Sequence, residues 1–591
     1  MKTGKPKNTF QILNSYLDKK DKRSIVFILF LFLTASVLEV FGLASLIPVL
    51  QIAMDSSAIQ ENQYIKSVYD FFGFESERMF LLATVLSIFT FFLFKNLFML
   101  GVKYKQLKFT TTLSMKIIKK QFEKYYSLDF WKFNRVGVST ILNHVNRVPD
   151  VFSSKYLYNY FQLFTEFIVI TIIVLGIAIY KPVLFLLMVI VLGPTTWLVY
   201  AGLKGKIQEY GNRVDSLMPE GFSLVNDSFK GYADLKLAGK SDMFMDRYFK
   251  NRKKVYNLQV RSGVLNDVPV KAIELIAISG IVLIFIYSLF ISSQPEQVLV
   301  LLGIFVAASY RIMPSVTRIL SSLMTIKNTQ YSVDCLELYK DYIKEAEASR
   351  SGVAKPVNFM DSIKFQNVGF SYPDASEYVI KNINFEVKRG EKVGFIGRSG
   401  SGKTTLINIL LRFYEETEGC IEVDGTPLTH EHLESWREKL GYVRQDVFIL
   451  DGTIEENITL ADKHVDQERL SRAIQLSSLK GVMEELSEGT KTHVGENGSR
   501  MSGGQKQRIG IARALYHEAE ILVFDEATSA LDNETEQEIT EAINRLSETD
   551  ITLFIIAHRV TTLKNCNKIF ELKDGEIFTQ RSYNELLNAV N

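Results

Sequence analysis

Long, nearly uninterrupted apolar runs occupy the first half of this chain, whereas its second half alternates short apolar runs with Gly-rich turns and charged segments. The change falls between about residues 330 and 355. Runs of about 20 apolar residues are long enough to cross a bilayer as helices, and short apolar runs between turns and charged segments are typical of a domain in water. The 591 residues are also too many for one core. The pattern predicts a membrane half followed by a soluble half.

Six segments have the length and composition of membrane-spanning helices. They are approximately residues 25–47, 80–101, 157–179, 182–203, 269–291 and 298–325. The polar N-terminus carries Phe10, Leu13 and Leu17 at helical spacing, which predicts a cytosolic helix on the membrane surface leading into the first span. We therefore expect a cytosolic helix at 1–24, a membrane domain with six spans and two long cytosolic loops at 25–330, a linker at 331–360 and a soluble domain at 361–591.

The distribution of charge between the spans predicts their orientation. The long connections at 102–156 and 204–268 are dense in Lys and Arg, whereas the connection at 53–79 is mainly acidic. By the positive-inside rule, both termini and the long connections are cytosolic. Within 53–79, Ile65, Val68, Tyr69 and Phe72 lie on one helical stripe. This segment is either a short amphipathic helix at the outer interface or an ordinary ordered loop.

Overall charge and cysteine content exclude several kinds of function. With 68 Lys and Arg against 66 Asp and Glu, the formal charge is only +2, so nothing favours a nucleic-acid partner. The three cysteines, Cys335, Cys420 and Cys566, are widely spaced and lie in parts predicted to be cytosolic. Their spacing predicts neither a disulfide framework nor a zinc site.

The soluble half contains a phosphate-binding loop. The strand-like "EKVGFIG" leads into "GRSGSGKTT" at 397–405, where Gly397, Gly400 and Gly402 allow backbone N–H groups to close around phosphate oxygens. The next helix adds its positive N-terminus. Lys403 is expected to reach the β- and γ-phosphates, and the Thr404 hydroxyl to hold Mg²⁺.

A second motif supplies the carboxylates that ATP hydrolysis needs. "ILVFDEATSALD" begins with a strand of buried type, 521–524, followed by Asp525 and Glu526. Asp525 suits the metal shell, and Glu526 is placed to act as the base toward an attacking water. Without the upstream loop, an acidic pair at a strand end would indicate an ordinary turn.

A second Gly-rich helix start lies between these motifs, in "MSGGQKQRIGIARAL" at 501–515. One nucleotide does not need two phosphate cradles in one subunit. Here the chain resembles the ATP-binding cassette transporters, whose signature motif binds the γ-phosphate held by a partner subunit. The family usually has Leu where this chain has Met501, which is a volume-conserving exchange. The resemblance assigns nucleotide binding to Ser502, Gly503, Gly504 and Gln505.

Other residues match the same family one by one. Tyr372 in "FSYPDASEYVI" resembles the aromatic that stacks on adenine, and Gln445 in "YVRQDVFIL" resembles the glutamine that senses Mg²⁺. Glu496 in "THVGENG" resembles the acid of a loop that touches the membrane connections. Asp532 in "SALD" and His558 in "IIAHR" resemble the interface-crossing aspartate and the γ-phosphate switch histidine. The implied nucleotide site also includes Ser399 and Thr405, with Thr404, Gln445 and Asp525 as metal ligands and Glu526 and His558 as catalytic residues.

The resemblance covers the whole chain and is closest to type IV exporters. It implies a six-helix membrane domain followed by an α/β P-loop nucleotide-binding domain, ATP and Mg²⁺ as ligands, and ATP hydrolysis coupled to transport. It further implies a homodimer with twelve spans in a bacterial inner membrane. Coupling helices, which dock the membrane domain on the cassettes, are expected near "SLDFWKFNRVG" at 127–137 and "LKLAGKSDMF" at 235–244.

Four cations in the inner halves of the spans indicate the cargo. Counted inward at 1.5 Å per residue, Arg311 lies roughly 20 Å and Arg318 roughly 30 Å from the outer end of the last span, on the same face. Lys95 and Lys271 also fall in the inner half. An intramembrane arginine usually faces a wet interior or a partner, which predicts a cavity for an anionic headgroup. The alternatives are snorkelling to the inner headgroups, or pairing with Glu39, Glu166 or Glu274, which would make the cations structural.

A further resemblance narrows the cargo. "LEVFGLASLIPVLQIA", "IKSVYDFFGF" and "LNDVPVKAIELI" are similar to segments of bacterial flippases for lipid-linked oligosaccharides. That similarity implies a lipid pyrophosphate bound by Lys95, Lys271, Arg311 and Arg318, although Lys lacks the bidentate geometry of Arg. A peptide or multidrug exporter is the main alternative. An ATP-gated channel or regulatory subunit is disfavoured because a regulator need not keep Glu526, His558 and the signature residues.

Overall fold

The computed structural model describes residues 9–45, 52, 59, 63–180, 182–290, 295–339, 355–375, 377–526, 533–546, 549–557 and 559–590. The chain forms two compact units. The first contains residues 1–128 and 134–343, and the second contains residues 129–133 and 344–591. The short segment 129–133 thus belongs to the second unit although it lies within the first half of the sequence.

Helices make up the first unit. Among the described residues they are α1 (Thr9–Tyr16), α2 (Lys19–Ala44), α3 (Gln63–Phe71), α4 (Glu77–Tyr126), α5 (Phe130–Val136, whose first residues belong to the second unit), α6 (Val138–Leu142), α7 (Val148–Val151), α8 (Tyr158–Tyr180), α9 (Pro182–Lys230), α10 (Tyr232–Leu237), α11 (Ser241–Phe290), α12 (Pro295–Asn328) and α13 (Tyr331–Glu337). Two π-helical turns, Asn143–Arg147 and Phe152–Leu157, flank α7.

Over their described residues, the predicted spans coincide with helices. In the part of the chain that the structure describes, Lys19–Gly42, Glu77–Tyr126 and Val138–Gly176 have the length and hydropathy of membrane spans. The described residues of the other three predicted spans lie within α9, α11 and α12. Three of these helices are about 50 residues long, so at 1.5 Å per residue they extend well beyond a 30 Å hydrocarbon core.

The N-terminal helix and the segment after the last span share one apolar core. Ile12 and Tyr16 of α1 are buried together with Val333 and Leu336 of α13. The sequence predicted a linker from residue 331. Residues 331–337 instead form a helix packed into the first unit, because four apolar side chains in two turns find a buried face there.

Two sheets form the centre of the second unit. The strands are β1 (Ser362–Ser371), β2 (Tyr378–Lys388), β3 (Lys392–Ile396), β4 (Glu418–Val423), β5 (Thr426–Pro427), β6 (Leu440–Arg444), β7 (Ile521–Asp525), β8 (Thr552–Ile556), β9 (Lys568–Lys573) and β10 (Glu576–Arg581). An antiparallel sheet has the order β2-β1-β4-β5, and a second sheet has the order β10-β9-β3-β8-β7-β6. In the second sheet β9, β3, β8, β7 and β6 run parallel.

Helices complete the second unit, and the central strands β3, β7 and β8 of its second sheet are mostly buried. They are α14 (Lys403–Leu410), α15 (Leu433–Glu438), α16 (Ile454–Thr459), α17 (Gln467–Leu476), α18 (Lys480–Glu485), α19 (Gly503–Tyr516), α20 (Asn533–Leu546) and α21 (Tyr583–Val590). Every residue of β8 is buried, as the continuous apolar pattern of a parallel strand requires. In register, Phe395 and Asp525 both pair with Ile556. The carboxyl ends of β3, β8 and β7 therefore meet at one edge of the sheet.

Candidate functional site

The turn after β3 has a backbone shape that only glycine accepts readily. Gly397, Gly400 and Gly402 have φ angles of 148°, 83° and 101°. A Cβ on Gly397 would lie 2.3 Å from the carbonyl oxygen of Leu572, and one on Gly402 would lie 2.7 Å from a methyl carbon of Ile380. A Cβ on Gly400 would have no atom within 4 Å. The turn is thus a tight backbone cradle that ends at the N-terminus of α14.

The lysine at the start of α14 closes over this cradle. Lys403 is buried, and its Nζ donates to the carbonyl oxygens of Gly397 at 2.9 Å and Arg398 at 3.1 Å. Burial lowers the pKa of Lys403, and the carboxylates of Glu526 and Asp525 oppose that shift. The hydroxyl of Ser401 is buried, and none of the described residues bonds to it. The Lys403 ammonium, the Ser401 hydroxyl and the backbone N–H groups of the loop can bind the oxygen atoms of a polyphosphate.

The acidic pair lies at the adjacent strand end. Asp525 is the last residue of β7, and Tyr442 of β6 donates its hydroxyl proton to Asp525 Oδ2 at 2.9 Å. Burial raises the pKa of Asp525, the Tyr442 hydrogen bond lowers it, and the Glu526 charge raises it again. Glu526 has a φ of 53°, and its backbone N–H donates to Ile556 at 3.1 Å. The turn begins at Glu526, so the two carboxylates leave the strand in different directions.

Tyr442 is a site residue that the sequence pattern does not reveal. Its neighbours in "LGYVRQ" form a strand, but nothing in that pattern points toward Asp525, which is 83 residues away. Hydrogen-bonded partners of this kind orient a metal ligand without touching the metal.

The tyrosine predicted to stack on adenine sits in an aromatic cluster. Tyr372 shares a hydrogen bond of 3.2 Å with the Thr405 hydroxyl. Its ring makes edge contacts with Phe370 and Tyr414, at 5.1 and 5.6 Å between centroids. The Trp131 ring lies 5.0 Å away at an interplanar angle of 30°. These contacts hold the Tyr372 ring beside α14, which carries Lys403.

The signature segment forms a capped helix start. Ser502 is the N-cap of α19; its Oγ accepts from the N–H of Gln505 at 3.2 Å, and the Gln505 side chain accepts from the N–H of Ser502 at 2.9 Å. Gly503 and Gly504 continue the chain without side chains at the helix entrance. This reciprocal capping presents the remaining N–H groups of the first turn outward.

A buried glutamine joins the signature helix to the end of β6. Gln507 Nε2 donates to the carbonyl oxygens of Arg444 at 3.1 Å and Gln445 at 2.7 Å. It fixes the backbone of Gln445, whose own side chain is exposed. The role of Gln507 is likewise not visible in the sequence pattern.

The remaining predicted residues of the cassette have separate positions. Ser399 and Thr404 are exposed at the cradle, and Glu496 begins a short 3₁₀ turn, Glu496–Gly498. Asp532 and His558 lie outside the described residues. The structure therefore brings together the loop at 397–405, Asp525, Glu526 and Tyr442 at one sheet edge.

An aromatic segment from the first long connection packs inside the second unit. Phe130 stacks on Phe413 with centroids 4.8 Å apart, and its centroid lies 5.8 Å from that of Tyr414. This is the segment where the sequence predicts the first coupling helix. The second predicted coupling helix, 235–244, contains the end of α10 and the start of α11, and α10 exposes Tyr232 and Leu237.

Three of the four membrane cations have contacts within their own unit. Arg318 forms an ion pair of 2.6 Å with Glu166, and Lys271 forms one of 3.0 Å with Glu274. Lys95 Nζ lies 4.6 Å from the centroid of the Phe92 ring. The side chain of Arg311 lies outside the described residues. The pairing that the sequence left open as an alternative is thus present for Arg318 and Lys271.

Comparisons with known proteins agree with this architecture. The family profile described as ABC transporter matches residues 380–529, and the profile described as ABC transporter transmembrane region matches residues 26–314. A solved structure of a bacterial Atm1-family ABC exporter with ATP bound superposes with a TM-score of 0.80 at 21% identity. The match covers 96% of this chain and 97% of that one, and it supports the fold.

Several similar curated proteins are named ATP-dependent lipid A-core flippase. The one from Francisella tularensis is 30% identical over 429 residues, which are 71% of this chain and 69% of the relative. The one from Burkholderia orbicola is 32% identical over 405 residues, 68% and 67% of the two chains. The one from Bordetella avium is 38% identical over 286 residues, 48% of each chain.

A phosphate cradle, a strand-end carboxylate pair and a capped signature helix behind a six-helix membrane domain define an ATP-driven membrane transporter. The chain belongs to the ATP-binding cassette transporters. It is a membrane protein of the exporter type that binds ATP and couples its hydrolysis to transport.

Proposed function

We propose that this protein moves an anionic amphiphile from the cytosolic to the outer leaflet of a bacterial inner membrane. The specific cargo that we propose is a lipid-linked oligosaccharide. Both termini lie in the cytosol. The relatives named lipid A-core flippases support a lipid-type cargo. The pyrophosphate-linked lipid is the finer proposal, and it rests on the sequence segments that resemble oligosaccharide flippases together with the membrane cations.

The proposal of an anionic headgroup rests on one ion pair whose two side chains are unequally buried. The Glu166 side chain is 3% exposed, whereas the Arg318 side chain is 47% exposed. Only one guanidinium nitrogen of Arg318 donates to Glu166. The exposed face of the guanidinium can therefore receive an anion while Glu166 holds the other side. Guanidinium is well suited to phosphate oxygens because its donors form a rigid fork.

The other cations contribute less charge than the sequence alone indicates. Glu274 neutralises much of Lys271, and both are exposed, so this pair is weak. Lys95, half-buried over Phe92, carries a charge without a described carboxylate partner. We assign Arg318 the main role in binding the anionic headgroup and keep Lys95, Lys271 and Arg311 as supporting cations.

ATP binding and hydrolysis are assigned to the sheet edge. Lys403 and the backbone of 397–402 would hold the phosphates, and Tyr372 would stack on adenine. Thr404, Gln445 and Asp525 would hold Mg²⁺, which neutralises charge on the β- and γ-phosphates. Glu526 would take the proton of the attacking water.

A second copy of the chain completes the site. The signature turn at 502–505 offers a separate set of helix N–H groups, and a cassette needs another cassette's signature to enclose its nucleotide. We propose a homodimer in which each chain supplies one cradle and one signature. Asp532 and His558 are assigned to the interface and to the γ-phosphate.

The test is ATP hydrolysis by the full chain in lipid nanodiscs with candidate cargoes. A polyprenyl-pyrophosphate oligosaccharide should stimulate turnover more than lipid A-type lipids, peptides or hydrophobic drugs. Stimulation by lipid A-type lipids alone would reassign the cargo within the lipid class. Stimulation by peptides or drugs alone would reject the lipid cargo. The Glu526→Gln variant, measured in parallel, gives the ATPase activity of contaminating proteins, which is subtracted from each value.

A further inference from the structure

Three side chains that commonly bind transition metals meet inside the first unit. His144 comes from the π-helical turn Asn143–Arg147, Asp215 from α9 and Cys335 from α13. One ligand-type atom from each lies within 4.8 Å of the others. His144 and Cys335 are buried, and Asp215 is half-buried.

Two of the three ligands are oriented by contacts from outside the cluster, and the third bonds to one of these two. The Tyr125 hydroxyl lies 2.5 Å from His144 Nδ1, so Nε2 is the ring nitrogen left for a ligand bond. Asn143 Nδ2 donates to Asp215 Oδ1 at 3.2 Å, while the Cys335 thiol donates to Asp215 Oδ2 at 3.3 Å. One oxygen of Asp215 is thus held from behind and the other faces the thiol. Outer contacts of this kind are typical of metal sites.

We propose that His144, Asp215 and Cys335 bind a zinc-type divalent ion. A thiolate, an imidazole and a carboxylate together suit Zn²⁺ and exclude hard ions such as Mg²⁺. Bond lengths of about 2.0–2.3 Å place tetrahedral ligand atoms roughly 3.3–3.8 Å apart. The contact between Cys335 and Asp215 already has this spacing, and the remaining separations need to close by about 1 Å. On binding, the Cys335 thiol releases its proton to solvent as the sulfur–metal bond forms.

Charge balance permits an ion there. Arg147 donates to Asp215 Oδ1 at 3.4 Å and to the Tyr331 hydroxyl at 2.8 Å. Lys124 is fully buried, and its Nζ is 3.5 Å from the carbonyl oxygen of Leu336. The thiolate and the carboxylate together neutralise a divalent ion. The ion and its ligands therefore have no net charge that would repel the nearby Arg147 and Lys124. Three protein ligands leave a fourth position for water.

The cluster lies beyond the membrane. Asp215 is 33 residues from the start of α9 at Pro182, roughly 50 Å along the helix axis, whereas the hydrocarbon core is about 30 Å thick. The ion would join the segment that precedes α8, the cytosolic part of α9 and the helix that comes after α12. Since exporters move such helices against one another, an ion that ties three of them together slows ATP turnover. That consequence uses only the transport activity and does not depend on which cargo is moved.

Direct metal binding is tested on the full chain in nanodiscs with Co²⁺ as the probe. Replacing Cys420 and Cys566 by Ser leaves Cys335 as the chain's only cysteine. This protein should bind one Co²⁺ per chain with a thiolate-to-cobalt charge-transfer band, and Zn²⁺ but not Mg²⁺ should displace it. The absence of a thiolate band in this protein at micromolar Co²⁺ would overturn the proposal.

Ligand variants separate binding from folding. Cys335→Ser should abolish the thiolate band in the otherwise unmodified chain, and His144→Gln should weaken Co²⁺ binding at least tenfold. Cys566→Ser, at a half-buried cysteine, is the matched control and should change neither. Retention of the band in Cys335→Ser would overturn the site.

The effect on turnover is a separate experiment. Low Zn²⁺ should slow ATP hydrolysis several-fold in the unmodified chain and not in Cys335→Ser. Equal sensitivity of the two proteins to Zn²⁺ would reject the slowing of turnover.

Discussion

The indole ring of Trp131 lies 5.0 Å from the phenol ring of Tyr372 at an angle of 30°. Trp131 belongs to the short helix α5, which follows the long helix α4, and Tyr372 is the residue that the family resemblance assigns to adenine. Both are within the second compact unit. One side of the Tyr372 ring is thus supported by the Trp131 ring, so the position of the phenol ring depends on the segment 129–133.

Trp131→Ala should weaken ATP binding more than catalysis. Aromatic pairs contribute about 0.5–1.5 kcal/mol beyond their buried area, so KM for ATP should rise roughly 2- to 12-fold while kcat changes little. Steady-state ATPase measurements over a range of ATP concentrations check this. Trp131→Phe should retain most of the affinity. Trp197→Ala, at an exposed tryptophan of α9, is the control, and an equal effect there would contradict the stacking role.

Glu526→Gln should abolish steady ATP hydrolysis while ATP still binds. Loss of a general base typically slows a reaction by about 10²–10⁴-fold. ATPase assays and nucleotide-binding measurements on the same preparation separate the two effects. Glu576→Gln on the edge strand β10 should leave both unchanged. Appreciable turnover in Glu526→Gln would refute the assignment of the base.

Tyr442→Phe should raise the Mg²⁺ requirement of hydrolysis. The variant removes the 2.9 Å hydrogen bond that orients Asp525, and loss of such a partner typically costs 10–100-fold in metal affinity or activity. We expect the Mg²⁺ concentration for half-maximal turnover to rise about tenfold, with Mg²⁺-free nucleotide binding unchanged. Tyr378→Phe removes a similar bond to Glu418 in the antiparallel sheet. If both variants behave alike, the effect is not specific to Asp525.

Glu166→Gln should make the stimulation of ATP hydrolysis more sensitive to an anionic lipid. Without the Glu166 charge, Arg318 no longer has a competing carboxylate, so half-maximal stimulation should occur at several-fold lower lipid concentration. Arg318→Ala should remove the stimulation and spare basal hydrolysis. Nanodisc ATPase titrations measure both. Glu274→Gln releases the exposed Lys271 pair and should shift the titration little, since exposed pairs contribute weakly.

Exchanging the two charges distinguishes a structural pair from a binding residue. Arg318→Glu combined with Glu166→Arg should restore the thermal stability that Arg318→Glu loses, because the ion pair is re-formed. Lipid stimulation should remain absent, because the exposed member is then acidic. Full recovery of stimulation by the double variant would mean that Arg318 acts only through Glu166.

Local sequence was sufficient for those parts of the protein that lie in contiguous residues. The cradle at 397–405 and the capped start of α19 are short motifs whose backbone shape is determined by glycine and serine positions. The spans could be predicted from run length. The fold of the cassette could be predicted because its nucleotide-binding motifs resemble those of the ATP-binding cassette transporters.

Contacts between distant residues could not be predicted in the same way. Arg318 and Glu166 are 152 residues apart, and Tyr442 and Asp525 are 83 apart. The sequence supplies candidates for such pairs but not the helix rotation or strand order that selects among them. The helix at 331–337 was predicted as linker because two turns are too short for a clear period. The cluster of His144, Asp215 and Cys335 has no ligand spacing in sequence, since each residue comes from a different helix.

The two π-helical turns on either side of α7 set the rotational phase of the third span. Each π turn contains one residue more than an α turn, and each added residue rotates the next part of the helix by about 100°. Together they turn α8 roughly 200° relative to an unbroken α-helix. Removal of a single residue from either turn would therefore present a different side of α8 to its neighbours, although every side chain of the span stayed the same.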